Sequence, residues 1–310
     1  MSKFSLKYTV SKILPPFLRE KVKKLLAIRR KRKAQSIEAR LDDIRNILIY
    51  NHPIDQVPPA TGKLRLLQDG NAVLLALFAK KCDAHGIRYW LDYGTLLGAI
   101  RHKGFIPWDD DLDVSMMRED FDKLLTLLPT IFPKEEGFTW GTHAFLQIGF
   151  QGTPLNIDVY PYHFYSEPIT DVNKEEVHAR ITAMKESCIF TEGKLNFSDA
   201  EIQSKIAHEV RADAPIPAED AYPGIFLSPA ITFTKNTVLT YDDIFPLKKA
   251  DFDGISYNIP NHSRQYLQFF YGDYYSYPPQ VGFKHPSVEY MVAKIPFEDA
   301  VNRFIDTYGE

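Results

Sequence analysis

Residues 89–116 read YWLDYGTLLGAIRHKGFIPWDDDLDVSM, and the order of residue types within them decides how the sheet is built. RYWLDY (88–93) alternates as a strand does. Gly94 and Thr95 then open a turn and a short helix that runs out by Gly104. Asp109, Asp110, Asp111 and Asp113 follow, four carboxylates in five positions, at the mouth of an apolar stretch, DLDVSM, that reads as a second strand. Like charges this close repel, at a cost on the order of a kcal/mol per pair near a surface. Either they form a solvated turn or they hold a cation. Side chains alternate along a strand, so Asp111 and Asp113 share one face. Asp158, in NIDV on a later strand, offers a third carboxylate to that face. Three acids in one place oppose each other's ionisation unless a cation binds. An all-oxygen set with open positions suits Mg²⁺ or Mn²⁺. Gly94 and Thr95 at a helix start offer backbone N–H groups to a phosphate, and Arg101, His102 and Lys103 can neutralise phosphate charge. Together these parts describe metal-assisted transfer at phosphorus.

Other chemistries that use acid clusters fit less well. An EF-hand loop starting at Asp109 requires glycine at its sixth position, where Val114 stands. Haloacid-dehalogenase-type phosphatases carry D-x-D at the end of an apolar strand, whereas here the apolar strand follows the acids. The same objection applies, less decisively, to nucleotide-diphosphosugar glycosyltransferases.

Around this centre the chain reads as α+β with an antiparallel or mixed sheet. Leu64, Leu67, Leu74, Leu75, Phe78 and Cys82 predict a long buried helix closed by Gly86. MREDFDKLLTLLP (117–129) predicts a helix stopped by Pro129 and Pro133. AFLQIGF (144–150) and LNIDVYPYHF (155–164) predict strands, residues 170–215 a charged and mostly helical stretch, 231–260 short strands and loops, and HSRQYLQFFYG (262–272) an aromatic helix. Trp90 is expected in the core. Trp108 is a candidate to stack on a base or sugar, His102, His143 and His285 could contact phosphate or line the site, and Tyr160, Tyr162 and His163 could shape an acceptor side.

The 310 residues divide by charge. Residues 1–34 hold twelve Lys/Arg and one acid, Glu20, for a net +11; the remainder holds 25 bases and 39 acids, a net −14. The acidic body argues against nucleic acid as a partner. Residues 10–28 mix bases with apolar residues at helical spacing, a pattern able to lie on an anionic membrane surface. Residues 35–50 repeat the helical period, and the three prolines of 51–62 mark a linker. The expected division is a basic amphipathic arm and linker, 1–62, and a catalytic domain, 63–310. Only Cys82 and Cys188 occur, without metal-site spacing, and no apolar run reaches membrane-spanning length. The expected location is cytoplasmic, peripheral at the inner face of the membrane if the arm binds lipid.

The 89–116 stretch resembles the signature of the LicD family, bacterial phosphocholine transferases related to fukutin and the fukutin-related ribitol-phosphate transferases. NIDVYPY (156–162) and the block FDG…NIPNHSRQYLQFFYGDYYSYPP (252–279) are similar to the same family. The resemblance implies a nucleotidyltransferase-like fold and transfer of a phospho-alcohol from a CDP-linked donor to a hydroxyl of a surface glycan or glycolipid. It implies Mg²⁺ held by Asp111 and Asp113 with Asp158 as third carboxylate, and Asp109 as a further ligand or support. Gly94, Thr95, Arg101 and Trp108 are then the expected donor-binding residues. Gly-Thr and a long gap before D-x-D depart from the wider nucleotidyltransferase pattern and fit LicD. Two alternatives stay open: a nucleotidyltransferase using an NTP, and a non-catalytic glycan- or membrane-binding protein.

Overall fold

The computed structural model describes residues 52–142, 145–168, 223–227, 238–278 and 296–309 and a few isolated positions, with backbone alone at 163–168 and 223–227. Apart from 52–54, these stretches belong to one compact unit, 55–310. The expected arm and its helices at 10–28 and 35–50, the stretch 170–215, and His143 and His285 lie outside the described residues, save isolated positions.

Helix α1, Gly62–Ala84, buries Leu67, Leu74, Leu75, Phe78, Ala79 and Cys82, the stripe its apolar spacing predicts. His85 caps it and Gly86 follows at φ +61°, the left-handed conformation that glycine reaches without a Cβ penalty. Strand β1 is only Trp90–Leu91. The expected strand to residue 93 ends early because Asp92 serves as the N-cap of helix α2, Tyr93–Arg101, its side chain accepting a hydrogen bond from the Tyr93 N–H at 2.7 Å. Strand β2, Leu112–Met117, is buried along its whole length. Helix α3, Arg118–Ile131, runs through Pro129 rather than stopping there. That proline lies in the last turn, and the Phe132 N–H still closes the turn onto the Leu128 carbonyl at 2.9 Å.

Strand β3, Phe138–Thr142, follows, then β4, Leu146–Phe150, and β5, Asn156–Pro168. Strand β6, Pro223–Leu227, and β7, Val238–Leu239, complete the main sheet, and a four-residue helix α4, Tyr241–Ile244, starts at a Thr240/Asp243 capping box. Strands β8, Lys248–Phe252, and β9, Ile255–Ile259, form a separate hairpin turned by Asp253-Gly254, a preferred pair for a tight turn. Helix α5, Ser263–Tyr271, and helix α6, Glu298–Tyr308, end the described chain.

Among the described residues the main sheet has seven strands. Five run in the order β1-β2-β5-β4-β3, with β6 paired to the outer half of β5 and β7 to β6. Strands β2 and β5 are parallel and the other pairs antiparallel, so the sheet is mixed, as expected. Helices flank it, and the fold is α+β. A parallel pair needs a crossover; here α3 and the β3–β4 hairpin supply it. Strand β3 and helix α6 were not anticipated from the sequence; Phe138–Thr142 is short and contains Gly141, whereas α6 carries a helical stripe, Val301, Phe304, Ile305 and Tyr308, that was overlooked. No helix among the described residues is long and apolar enough to cross a membrane.

Candidate active site

The parallel ladder sets Asp113 directly beside Asp158, with Leu112 paired to Ile157 and Val114 to Val159. Both strands present these residues on one face. Asp111 lies two residues ahead of Asp113, one position outside the strand. All five acids, Asp109, Asp110, Asp111, Asp113 and Asp158, are buried. The oxygens of Asp109, Asp110 and Asp111 lie within 4.8 Å of one another, close enough to share a cation. The carboxylates gathered this tightly differ from the expected trio of Asp111, Asp113 and Asp158, and Asp111 belongs to both sets.

Buried amides hold the acids in place. The Gln68 side chain donates to the carbonyls of Ile106 (3.2 Å) and Asp109 (2.9 Å), and the Asn71 side chain to the carbonyl of Asp110 (3.2 Å). Asn71 Oδ1 also accepts from the Asn156 N–H at 3.1 Å, tying the acidic loop to the first residue of β5. Asp158 Oδ1 accepts from Gln147 Nε2 at 2.9 Å and from Asn156 Nδ2 at 2.5 Å. Buried polar groups such as these are costly unless paired, so each fixes an orientation.

The first turn of α2 closes the nest. The Gly94 N–H donates to Asp113 Oδ2 at 3.1 Å, and the Asp113 N–H donates to Thr95 Oγ1 at 2.8 Å. A Cβ on residue 94 would sit 2.8 Å from Asp109 Oδ2 and 3.5 Å from Asp113 Oδ2, so only glycine lets both carboxylates approach the helix start. The expectation that Gly94 and Thr95 face a phosphate is thus modified: both are engaged with Asp113. Arg101, buried at the other end of α2, donates from Nη1 to the Tyr274 carbonyl and from Nε to His102 Nδ1 at 3.3 Å. Burial lowers its pKa to about 10, against the opposing pull of Tyr275, Asp109 and Tyr271, so it remains a cation at neutral pH, within electrostatic reach of Asp109.

Tyr160 stands over the acids. Burial raises its hydroxyl pKa, and the nearby charges of Asp113, Asp158 and Asp111 raise it further. Its ring meets Tyr93 edge-on at 5.2 Å, and Tyr93 meets Phe270 of α5 at 5.3 Å. Trp108 is half-buried against the apolar core. Trp90 is fully buried between Tyr162 and Phe245, as expected of a core residue. Tyr162 turns inward rather than toward an acceptor: its hydroxyl donates to Asp92 Oδ2 at 3.1 Å. The side chain of His163 lies outside the described residues.

Sequence reasoning missed Gln68, Asn71, Gln147, Asn156 and Asp92. The signal for the first two was present: a polar pair three residues apart inside an otherwise apolar helix stripe.

The sequence that builds this site is similar to known proteins. Residues 86–204 match the family model described as LicD/FKTN/FKRP, nucleotidyltransferase domain. This stretch of the chain is similar to the LicD family. The chain is 26% identical over 240 residues to the lipopolysaccharide cholinephosphotransferase LicD of Haemophilus influenzae, covering 67% of this chain and 89% of that one. It is 34% identical over 88 residues to the ribitol 5-phosphate transferase FKRP of Homo sapiens, covering 26% of this chain and 18% of that one. It is 48% identical over 61 residues to an uncharacterized protein of Rickettsia prowazekii, covering 18% of this chain and 23% of that one. The LicD-family match spans Asp92 to Asp158 and therefore every acid of the nest.

Proposed function

We propose that this protein is a phosphotransferase that moves a phospho-alcohol, phosphocholine or a polyol phosphate, from a CDP-linked donor to a hydroxyl of a cell-surface glycan. The observation that carries the proposal is the buried nest of Asp109, Asp110, Asp111, Asp113 and Asp158 under the first turn of α2. Its similarity to a lipopolysaccharide cholinephosphotransferase and to ribitol-phosphate transferases supports the choice of reaction.

The donor set fits a hard divalent cation: all ligands are carboxylate oxygens, buried and mutually close, with no sulfur or imidazole among them. Asp111, with Asp109 and Asp113 beside it, would hold Mg²⁺ or Mn²⁺; Asp158 supports the set from β5. Such an ion supplies charge neutralisation at the donor diphosphate. The chain's own residues do the rest. Arg101, buried at the end of α2, contributes positive charge within electrostatic reach of Asp109. Gln147 and Asn156 fix Asp158 so that it can take the proton of the acceptor hydroxyl. The acceptor oxygen then bonds to the distal phosphorus, the bond from that phosphorus to the bridging oxygen breaks, and CMP leaves with that oxygen. Burial of the nest excludes water that would compete as acceptor.

The test is product analysis. Purified protein is incubated with Mg²⁺, crude surface glycan, and CDP-choline, CDP-ribitol, CDP-glycerol or an NTP in turn. CMP release with one CDP-alcohol, absent in Asp111→Asn, is the expected result and names the donor. Pyrophosphate release from an NTP would replace the proposal with nucleotidyl transfer. We further propose that residues 1–34, with twelve basic residues, bring the enzyme to an anionic membrane surface. Flotation with anionic liposomes should then exceed that of the chain lacking those residues, and equal flotation would discard the idea.

A further inference from the structure

Asp92 is a fully buried carboxylate that the reaction above does not use. Four donors from four elements converge on it. Oδ1 accepts from the Tyr93 N–H at 2.7 Å and from the Tyr266 hydroxyl of α5. Oδ2 accepts from Ser115 Oγ of β2 at 2.5 Å and from the Tyr162 hydroxyl of β5 at 3.1 Å. The two tyrosine hydroxyls also touch each other at 2.9 Å. The Asp92 backbone belongs to the same assembly, its N–H donating to the Asp113 carbonyl at 3.0 Å and its carbonyl accepting from the Leu96 N–H at 2.9 Å.

The position of this cluster gives it a consequence. Asp92 is the N-cap of α2, and the two residues after Tyr93 are Gly94 and Thr95, which bind Asp113 from both sides. Tyr93 itself is held at φ +38°, a conformation that a bulky side chain adopts only when its surroundings impose it. The carboxylate and its three hydroxyl partners are what surround that bend. A helix start would need one capping acceptor; a fully buried carboxylate with hydroxyl donors from β2, β5 and α5 is more than capping requires.

We propose that Asp92 is a positioning residue for the reaction: with Ser115, Tyr162 and Tyr266 it clamps the first turn of α2 onto β2, and so sets the direction in which Gly94 and Thr95 hold the Asp113 carboxylate. The proposal rests on the reading of the acid nest given above. It makes α5, some 150 residues downstream of β2, a working part of the site through Tyr266.

The test uses the full chain and the variants Asp92→Asn, Tyr266→Phe and Ser115→Ala. Backbone amide exchange is read at Gly94 and Asp113, with Ile148 and Gly149 of β4 as internal controls. Mn²⁺ binding is read in parallel by electron paramagnetic resonance with the metal alone. Asp92→Asn keeps the shape of the side chain but turns an acceptor into a donor facing hydroxyls, so exchange at Gly94 and Asp113 is expected to quicken about tenfold or more, the loss of one to two buried hydrogen bonds. Exchange in β4 stays unchanged, Tyr266→Phe and Ser115→Ala give smaller shifts at the same two amides, and Mn²⁺ affinity falls in the same rank order. A residue that merely supports the fold would quicken exchange everywhere together, and that uniform pattern, or no change at Gly94 and Asp113, overturns the proposal. If Asp92→Asn does not fold, the two milder variants decide by the same localised pattern. Wild-type protein that binds no Mn²⁺ would count against the metal reading of the nest, while the exchange pattern still decides the role of Asp92.

Discussion

Two regions of this molecule, at opposite edges of the strand pair β4–β5, are built on opposite principles. At one edge, five buried acids sit under α2, with Asp113 and Asp158 held through their carboxylates and Asp109 and Asp110 through their backbone carbonyls. At the other, Phe138 of β3, Phe150 of β4, and Phe304 and Tyr308 of α6 form a cluster of rings with centroids 4.8 to 6.4 Å apart, and Phe132 joins it edge-on at 5.3 Å. The ring cluster is assembled from contacts that lower the free energy of the fold. The acid nest is assembled from like charges that raise it. A fold keeps such a nest only where the orientation of the groups is itself useful, and the contrast predicts that mutations in the two regions will separate activity from stability.

The largest expected effect is on activity alone. Asp111→Asn should cut phospho-alcohol transfer by roughly a thousandfold or more, on the scale of removing a principal electrostatic contact, about 4 kcal/mol. Its thermal midpoint should hold or rise, because a like charge has been removed. A parallel drop in midpoint would break the contrast. Phe304→Ala should do the reverse: a loss of about 3–5 kcal/mol in urea unfolding, with kcat per folded molecule unchanged. Smaller, and sharper, is Asn156→Ala. It removes one of the two donors on Asp158, and about 1.5–3 kcal/mol is typical for a hydrogen bond to a charged group. Roughly a tenfold fall in kcat with little change in KM is expected if Asp158 takes the acceptor's proton, and an unchanged kcat would remove Asp158 from that role. The smallest effect concerns Cys82, buried near the C-terminal end of α1. Burial and the neighbouring Asp83 push its thiol pKa up, so Ellman's reagent should leave it unmodified in the native protein and label it on unfolding.

The two regions also differ in how far they could be read from sequence. The acid nest announces itself: Asp111 and Asp113 alternate on a strand, Gly94 marks a close approach, and Asp158 follows on a later strand at a matching face. What the spacing does not contain is the parallel pairing that seats Asp113 beside Asp158, since strand order is a property of the whole topology. Nor does it reveal that Asp110 joins Asp109 and Asp111, because three consecutive aspartates converge only where a loop departs from strand geometry. The amides of Gln68 and Asn71 read as interruptions of a helix stripe until the acidic loop is seen resting on them. Asp92 was hidden for a related reason, its partners Ser115, Tyr162 and Tyr266 being scattered over 174 residues of separation. The ring cluster was legible only in part: Phe150 lies on a predicted strand, Val301, Phe304, Ile305 and Tyr308 carry a helical period that went unread, and Phe138 belongs to a short strand interrupted by Gly141 whose pairing is set by tertiary packing.

If the nest holds a divalent cation as proposed, binding should offset the repulsion of its buried like charges, so the most direct measurement is thermal unfolding of wild-type protein and Asp111→Asn across a Mg²⁺ titration, with EDTA as the starting point. At a hundredfold excess over Kd a ligand that binds only the folded state adds about 2.7 kcal/mol, which for a domain of this size is a rise of roughly 5 °C or more. The result predicted is that rise in wild-type protein and none in Asp111→Asn, whose midpoint in EDTA already equals or exceeds that of wild type. Equal midpoints for both proteins at every Mg²⁺ concentration would contradict it.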